Sequence, residues 1–370
     1  MIKDASLGAL LGLLAAPLAN AQPANSTAAS RVELGPLASG AAVAFVQAGS
    51  GDWGIEISGG TAPSMAQSKP AQIQIYRNES SVQDVARGYQ SVRKEADAVV
   101  ADATVTGENG AAFAFEDVWR VKGASLMLSR NVKVTGTETN AGFYSAIRLA
   151  ATPTIKWEDA TYFVPGLFYG ENRGGPVTLN TKRYATREDS MSAPMTAAQF
   201  HDGNWFGILD PSPRGDTTWA ETTGSATTPI IDERLQFGAI GADEAPGGGV
   251  ELGFWLPGTV AQSGSGFGGG RGGNATPVTK RRYHPVKAGF AQTYEVQFHF
   301  GKNETFRDMQ RESWRWAWQT LNPKVKPVDV GLMREALLNH EQIVRKCLPP
   351  LLQSPLIELN QNAQNPCVPQ

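Results

Sequence analysis

The sequence predicts a mainly β protein, a large antiparallel β-supersandwich followed by a linker helix and one or two C-terminal helices. Three observations point there. From Val32 to Phe300, short apolar or alternating runs recur about every ten residues, separated by Gly, Asn and Pro, as in sandwiches and barrels. Tyr294 to Phe300 alternates strictly, with Tyr294, Val296, Phe298 and Phe300 on one face and Glu295, Gln297 and His299 on the other. That period belongs to a strand with one buried face. No internal repeat divides the region, which favours one large sandwich over tandem small domains.

Taken in order, the chain opens with Lys3, the apolar Leu7–Leu18 run and Ala19-Asn20-Ala21, the pattern of a secretory signal ending before Gln22. Residues 1–21 are expected to be that signal peptide, and the protein to be secreted or periplasmic. The run is too short to cross a bilayer and no other run is longer, so no membrane span is expected after signal removal. Strand candidates follow at Ala42–Val46, Gly54–Ile57, Ile73–Tyr76, Phe113–Phe115, Leu126–Leu128 and Val132–Val134. Further ones are Phe143–Leu149, Trp205–Leu209 and Val250–Leu256. One interruption, Ser81 to Asp97, reads as a helix capped by Ser81, with Val82, Val85, Tyr89 and Val92 on one stripe. Residues 32–303 form the expected sandwich domain, and Gln262–Asn274, rich in Gly and Ser, reads as a flexible surface hairpin loop.

Residues 304–346 are expected to hold the linker helix and the start of a truncated α-helical domain. Thr305 and Asp308 give a capping-box-like start to a helix running to Leu321. Its Phe306, Met309, Trp314, Trp316, Ala317, Trp318 and Leu321 spread over an arc of about 200°. One buried face needs less, so this helix is expected between the sheet and a helical partner. A second amphipathic helix is expected near Val328–Lys346, with Leu332, Met333, Ala336, Leu337, Ile343 and Val344 on its stripe. Residues 347–370 form an irregular tail, where the chain's two cysteines, Cys347 and Cys367, either close a disulfide or stay as free thiols.

A chain of 370 residues with 41% apolar content can bury a sizeable core, and its formal charge of -2 gives no reason to expect nucleic acid as a partner. Four scattered histidines, His201, His284, His299 and His340, show no metal-ligand spacing, so neither metal nor cofactor is expected. The densest polar and aromatic stretch is Tyr162 to Trp219. Sugar sites need planar hydrogen-bonding groups for vicinal hydroxyls beside an aromatic face. Tyr169, Asn172, Arg173, Arg187, Arg214 and Trp219 supply those types and are the substrate-binding candidates. The arginines would also suit an acidic sugar through a forked ion pair. Paired acids suited to glycoside chemistry could come from Glu171, Glu188, Asp189 and Asp216, the catalytic candidates. The competing reading is solvated loop charge with local ion pairs such as Arg187–Asp189.

The closing segment FRDMQRESWRWAWQTLNPKVKPVDVGLMREALLNH and the stretch FYGENRGGP…TKRYATREDSMSAP sit in a layout of many strands followed by helices. That layout resembles the N-terminal β-supersandwich (galactose mutarotase-like) module plus linker helix of (α/α)-toroid glycoside hydrolases and polysaccharide lyases. The resemblance implies an oligosaccharide or polysaccharide partner. It also implies catalytic carboxylates supplied by a toroid, of which this chain holds at most one helix. The chain is therefore expected to be the sandwich module of a secreted carbohydrate-active enzyme, contributing to carbohydrate binding and docking a helical catalytic domain. By itself it should be inactive. The alternatives are a stand-alone exported carbohydrate-binding or structural module, or a small intact glycosidase using rim carboxylates.

Overall fold

The computed structural model describes residues 30–78, 80–151, 155–170, 183–214, 229–245, 248–258, 260–263 and 277–324. The signal segment, most of the Gly-rich loop, the Val328–Lys346 helix and both cysteines lie outside the described residues. The chain divides into two compact units, residues 1–320 and 321–370. The account below concerns the first.

The strands begin with β1 (Arg31–Pro36), β2 (Ala42–Gln47), β3 (Trp53–Ser58), β4 (Met65–Gln67), β5 (Ala71–Asn78) and β6 (Ser81–Arg87). Next come β7 (Ser91–Glu95), β8 (Ala98–Thr106), β9 (Ala112–Lys122), β10 (Ser125–Val134), β11 (Gly142–Ala151) and β12 (Thr161–Val164). Then follow β13 (Phe168–Gly170), β14 (Arg183–Arg187), β15 (Met195–Gln199), β16 (Asn204–Leu209), β17 (Ile230–Ile231) and β18 (Ala239–Glu244). The last are β19 (Val250–Leu256), β20 (Val260–Ser263), β21 (Pro277–Lys280), β22 (Arg282–Pro285) and β23 (Ala291–Lys302), before the helix α1 (Phe306–Leu321). Two large sheets result, and the protein is mainly β. The nine-stranded sheet runs β13-β12-β15-β16-β23-β10-β9-β8-β7. The twelve-stranded sheet runs β1-β2-β3-β4-β11-β19-β18-β14, with β5, β6, β17 and β22 attached around β11. Apart from the short parallel β17–β22 pair, the pairings are antiparallel.

The inner faces meet in one apolar core. In β23, Tyr294, Val296, Phe298 and Phe300 are all buried while the alternate residues point away, as the period of two requires. Trp119, Phe45, Phe113 and Phe143 join them from β9, β2 and β11.

The helix expected over Ser81–Asp97 is absent; β6 and β7 occupy it. Residues 81–87 alternate in exposure and pair with β5, and residues 91–95 pair with β8. The valines at the supposed helical spacing equally fit a half-buried strand, and β-branched residues favour one. Gly88 lets the chain pass close to Asp52 and Trp53, where a Cβ would fall 2.8 Å from the Asp52 Cβ. Buried Tyr89 then joins Trp53 through reciprocal 2.8 Å backbone hydrogen bonds. Tertiary pairing decides what local pattern left ambiguous.

Helix α1 starts as its cap predicts: the Asp308 amide donates to Thr305 Oγ1 at 3.2 Å, and Thr305 Oγ1 donates to the Asp308 carboxylate at 2.6 Å. It lies on the outer face of the nine-stranded sheet through Met309, Ser313, Trp316 and Ala317. Trp316 stacks on His299 of β23 at 4.9 Å. It also crosses Gly207 of β16 so closely that a Cβ there would sit 3.0 Å from the indole. Trp314 is half-buried, edge-on to Phe163, whereas Trp318 is 58% exposed. Among the described residues the helix thus has the sheet on one side and a bare indole on the other.

Between the sheets runs a continuous polar line. Arg130 and Asp117 face each other across β10 and β9, both side chains fully buried, with Nη2 at 2.6 Å from the carboxylate. Tyr89 donates its phenol proton to Asp117 and receives the Trp119 indole proton. On the other side Arg130 reaches Tyr294, whose hydroxyl meets Ser145; Ser145 donates to Gln292, and Gln292 meets His284. Breaking a buried ion pair on one side strands a charge, so Arg130→Met should cost about 3–5 kcal/mol of unfolding free energy. Removing both charges with Arg130→Met/Asp117→Leu should cost less than the single change. Urea unfolding of the three proteins checks this, and a double mutant weaker than the single would contradict it.

Candidate functional site

The site begins where β16 stops. β16 pairs with β23 from Asn204↔Lys302 to Leu209↔Gln297, and the chain then leaves the sheet at Asp210-Pro211. Proline has no amide proton to continue the ladder. Below Gln297, residues 291–296 of β23 keep β10 as their strand partner among the described residues. The departure opens a cleft of about 440 Å³ at the sandwich rim.

Its floor and walls combine three groups. Polar side chains stand outward on β9, β10 and β23 in two cross-strand rows, Glu116–Asn131–Thr293 and Val118–Ser129–Glu295. Neighbouring strands hold such groups about 5 Å apart. Phe254 of β19 and Tyr294 of β23 add aromatic surface, their rings 5.1 Å apart. The segment after β16 adds Asp210, Ser212 and Arg214. Arg130 also borders the cleft, but Asp117, Pro70, Ala146 and Tyr294 engage its guanidinium.

Behind Asp210 lies Glu188, in a short helical turn after β14. The Gly238 amide donates to Glu188 Oε1 at 2.7 Å, and the Glu188 amide donates to the Gly238 carbonyl at 3.1 Å. Asp210 Oδ1 accepts from the Ser212 amide at 2.7 Å. Glu188 is 3% exposed and Asp210 5%. Burial lifts the Glu188 carboxyl to about 9, with its hydrogen bond and charge contact to Asp210 adding to the rise. Burial also raises Asp210, and Glu295 adds to it, while the Glu188 hydrogen bond, the Ser212 amide and Arg214 pull it down. The two acids share a proton that rests on Glu188.

The sequence-predicted residues divide. Glu188 and Arg214 are at or directly behind the cleft. Arg187 and Asp189 form a local ion pair, with Arg187 Nε 2.8 Å from Oδ1, and the Arg187 guanidinium lies 4.1 Å from the Phe237 ring centre. Tyr169 does not line the cleft; its hydroxyl accepts from the Gly166 amide at 2.9 Å and its ring meets Phe163. Glu171, Asn172, Arg173, Asp216 and Trp219 lie outside the described residues. The residues missed were Glu116, Ser129, Asn131, Thr293, Glu295, Tyr294 and Phe254. Their one sequence signal is the polar alternation of β9, β10 and β23; cross-strand register alone shows that they share one surface. Among the described residues no group of three or more His, Cys, Asp or Glu side chains is placed to hold a metal ion, and no helix is long and apolar enough to cross a membrane.

No protein-family model matches the sequence, and no curated protein does. Among solved structures the chain is similar to the GH36 α-galactosidase AgaB of Geobacillus stearothermophilus, at 10% identity and a TM-score of 0.38 over 76% of this chain and 41% of that one. It is also similar to AgaA of the same organism, solved in complex with raffinose, at 10% identity and 0.37 over 74% and 41%. A galactose mutarotase related enzyme from Lactobacillus acidophilus gives 9% identity and 0.34 over 71% and 95%. The chain thus spans about two fifths of the length of the α-galactosidases. At these scores the likeness carries no argument about activity; the fold stands on the sheets themselves.

The Glu188–Asp210 pair sets a pH dependence. The folded protein holds a proton on Glu188 up to about pH 9, which the unfolded chain loses near the ordinary carboxylate value. Between those limits the native state binds more protons, so stability falls as pH rises, by at most about 1.4 kcal/mol per pH unit. Urea unfolding at about pH 5, 7 and 9 should show that slope, flattened in Glu188→Gln. An unchanged slope in the variant would count against the shared proton.

Proposed function

We propose that the chain is the exported sandwich module of a carbohydrate-active enzyme, which binds an oligosaccharide at the rim cleft and docks a helical catalytic domain beside α1. The observation that carries this reading is the cleft itself. Its two polar rows offer Glu116, Asn131, Thr293, Ser129 and Glu295 to successive hydroxyls, while Tyr294 and Phe254 supply the apolar face that a sugar ring needs. The binding candidates of the Tyr169–Trp219 stretch enter the proposal through Arg214 and through Asp210, which the same stretch supplies. Exposed Trp318 on the far side of α1 supports the docking role, because a lone large indole beside half-buried Trp314 makes an apolar surface suited to a packed partner. Export rests on the residue 1–21 pattern.

Half of a composite site binds weakly, since the ligand meets the full association cost with few contacts; affinities on the order of millimolar are expected. Titration of the purified chain with neutral gluco- and galacto-oligosaccharides, followed by NMR, should perturb Asn131, Thr293 and Glu295. Thr293→Trp, which fills the cleft from an outward position, should abolish the binding. No hydrolysis of aryl glycosides is expected from the chain alone. Saccharide binding undisturbed by Thr293→Trp would place the site elsewhere, and turnover lost on changing Asp210 would favour the small-glycosidase alternative.

A further inference from the structure

The described walls of the cleft are unevenly charged. Glu116, Glu295 and Asp210 border it against Arg214, and the guanidinium of Arg130 is already matched by Asp117. Behind Asp210, the Oε2 atom of nine-tenths buried Glu188 finds no donor among the described groups, while that carboxyl is within hydrogen-bonding reach of Asp210. A buried acceptor in that position requires a positive partner: either a proton held between the two acids or a cation arriving from the cleft side. Arg214 is exposed and does not fill this role, since Asp210 is still raised with Arg214 counted. Glu295 stands on the same wall, and its charge is felt at Asp210. The aromatic pair Tyr294 and Phe254 lies beside these acids, so a ring could rest on it while a charged substituent meets the carboxyls.

Resting on the saccharide reading above, we propose that the cleft selects an amine-bearing sugar, a glucosamine-type residue whose ammonium pairs with Asp210 and Glu295, over neutral and uronic-acid sugars. The ammonium supplies charge-assisted hydrogen bonds to carboxylates that otherwise share a proton, and that proton leaves to solvent as the cation enters. A uronate would bring a fourth carboxylate to the same wall. The arginines of the Tyr162–Trp219 stretch, which by themselves suggested an acidic sugar, do not oppose this: Arg187 is paired with Asp189 and buried.

The test uses the full chain and four probes at low salt: the β-1,4 trimer of glucosamine, its N-acetylated counterpart, a galacturonic acid trimer and trilysine. The glucosamine trimer should bind about tenfold more tightly than the N-acetylated one, the gain of a charge-assisted pair at a partly buried wall. Galacturonate should not bind, and trilysine should not displace the glucosamine trimer. Calorimetry in buffers of different ionisation enthalpy should show proton release on binding, and Glu295→Gln should bring the amine-to-acetyl ratio toward one. Equal or tighter binding of the N-acetylated trimer, or tightest binding of galacturonate, overturns the amine preference while leaving the saccharide reading in place. Displacement by trilysine would reduce the effect to bulk charge and overturn it as well. If none of the saccharides binds, both the preference and the reading beneath it fall.

Discussion

The ion pair of Arg130 with Asp117 sets the terms for the rest of the molecule. Both side chains are fully buried, in a medium where an unmatched charge costs several kcal/mol. The guanidinium has five donors, and five hydrogen bonds meet them: two to Asp117, and one each to Ala146, Pro70 and Tyr294. Asp117 lies in β9, Tyr294 in β23 and Ala146 in β11, so one residue ties three strands across both sheets. A register slip of one residue would turn Arg130 outward and leave Asp117 unmatched among Phe115, Trp119 and Tyr89. The pair therefore specifies alignment, which a purely apolar interface between sheets constrains less.

That alignment shapes the cleft. The Arg130–Tyr294 contact holds the Tyr294 ring at the cleft floor, and the hydroxyl is held by Ser145 at 3.2 Å. His284 ends the line as a neutral ring: burial lowers it to about 4, its Nε2–H donates to the Leu235 carbonyl and its Nδ1 accepts from Gln292. Every member of the line has a partner, which lets a polar network in an apolar core act as a rigid support. The outer face of the nine-stranded sheet is then divided between two uses. Where β16 continues, Trp205, Gly207 and His299 form a surface for α1. Where β16 ends at Asp210-Pro211, the same face carries the polar rows of the cleft.

Glu188 and Asp210 come from segments joined to different sheets, β14 and β16, and meet only because Gly238 brings the β14 end against the rim. A Cβ on Gly238 would fall 2.2 Å from the Phe254 ring, so only glycine permits the approach that clamps Glu188. The same packing that excludes water from Glu188 raises its proton affinity. Chemistry at the rim is thus a consequence of core geometry.

The sequence by itself determined the β class, the four buried residues of β23 and the capped start of α1 with its surplus of aromatic surface. These are set by local periodicity and side-chain capping, both readable within a few residues. It misread Ser81–Asp97, because valines at helical spacing also satisfy a half-buried strand; pairing with β5 and β8 decided the matter. Of the candidate site it located Glu188, Arg214 and the neighbourhood of Asp210, since carboxylates and arginines in loops are conspicuous. It also foresaw the Arg187–Asp189 pair, a contact between residues two apart. It could not see Glu116, Asn131, Thr293 and Glu295 as one surface, nor Asp117 and Arg130 as one buried pair. Those relations depend on register between strands far apart in the chain, and register is fixed only when the two sheets close on a common core.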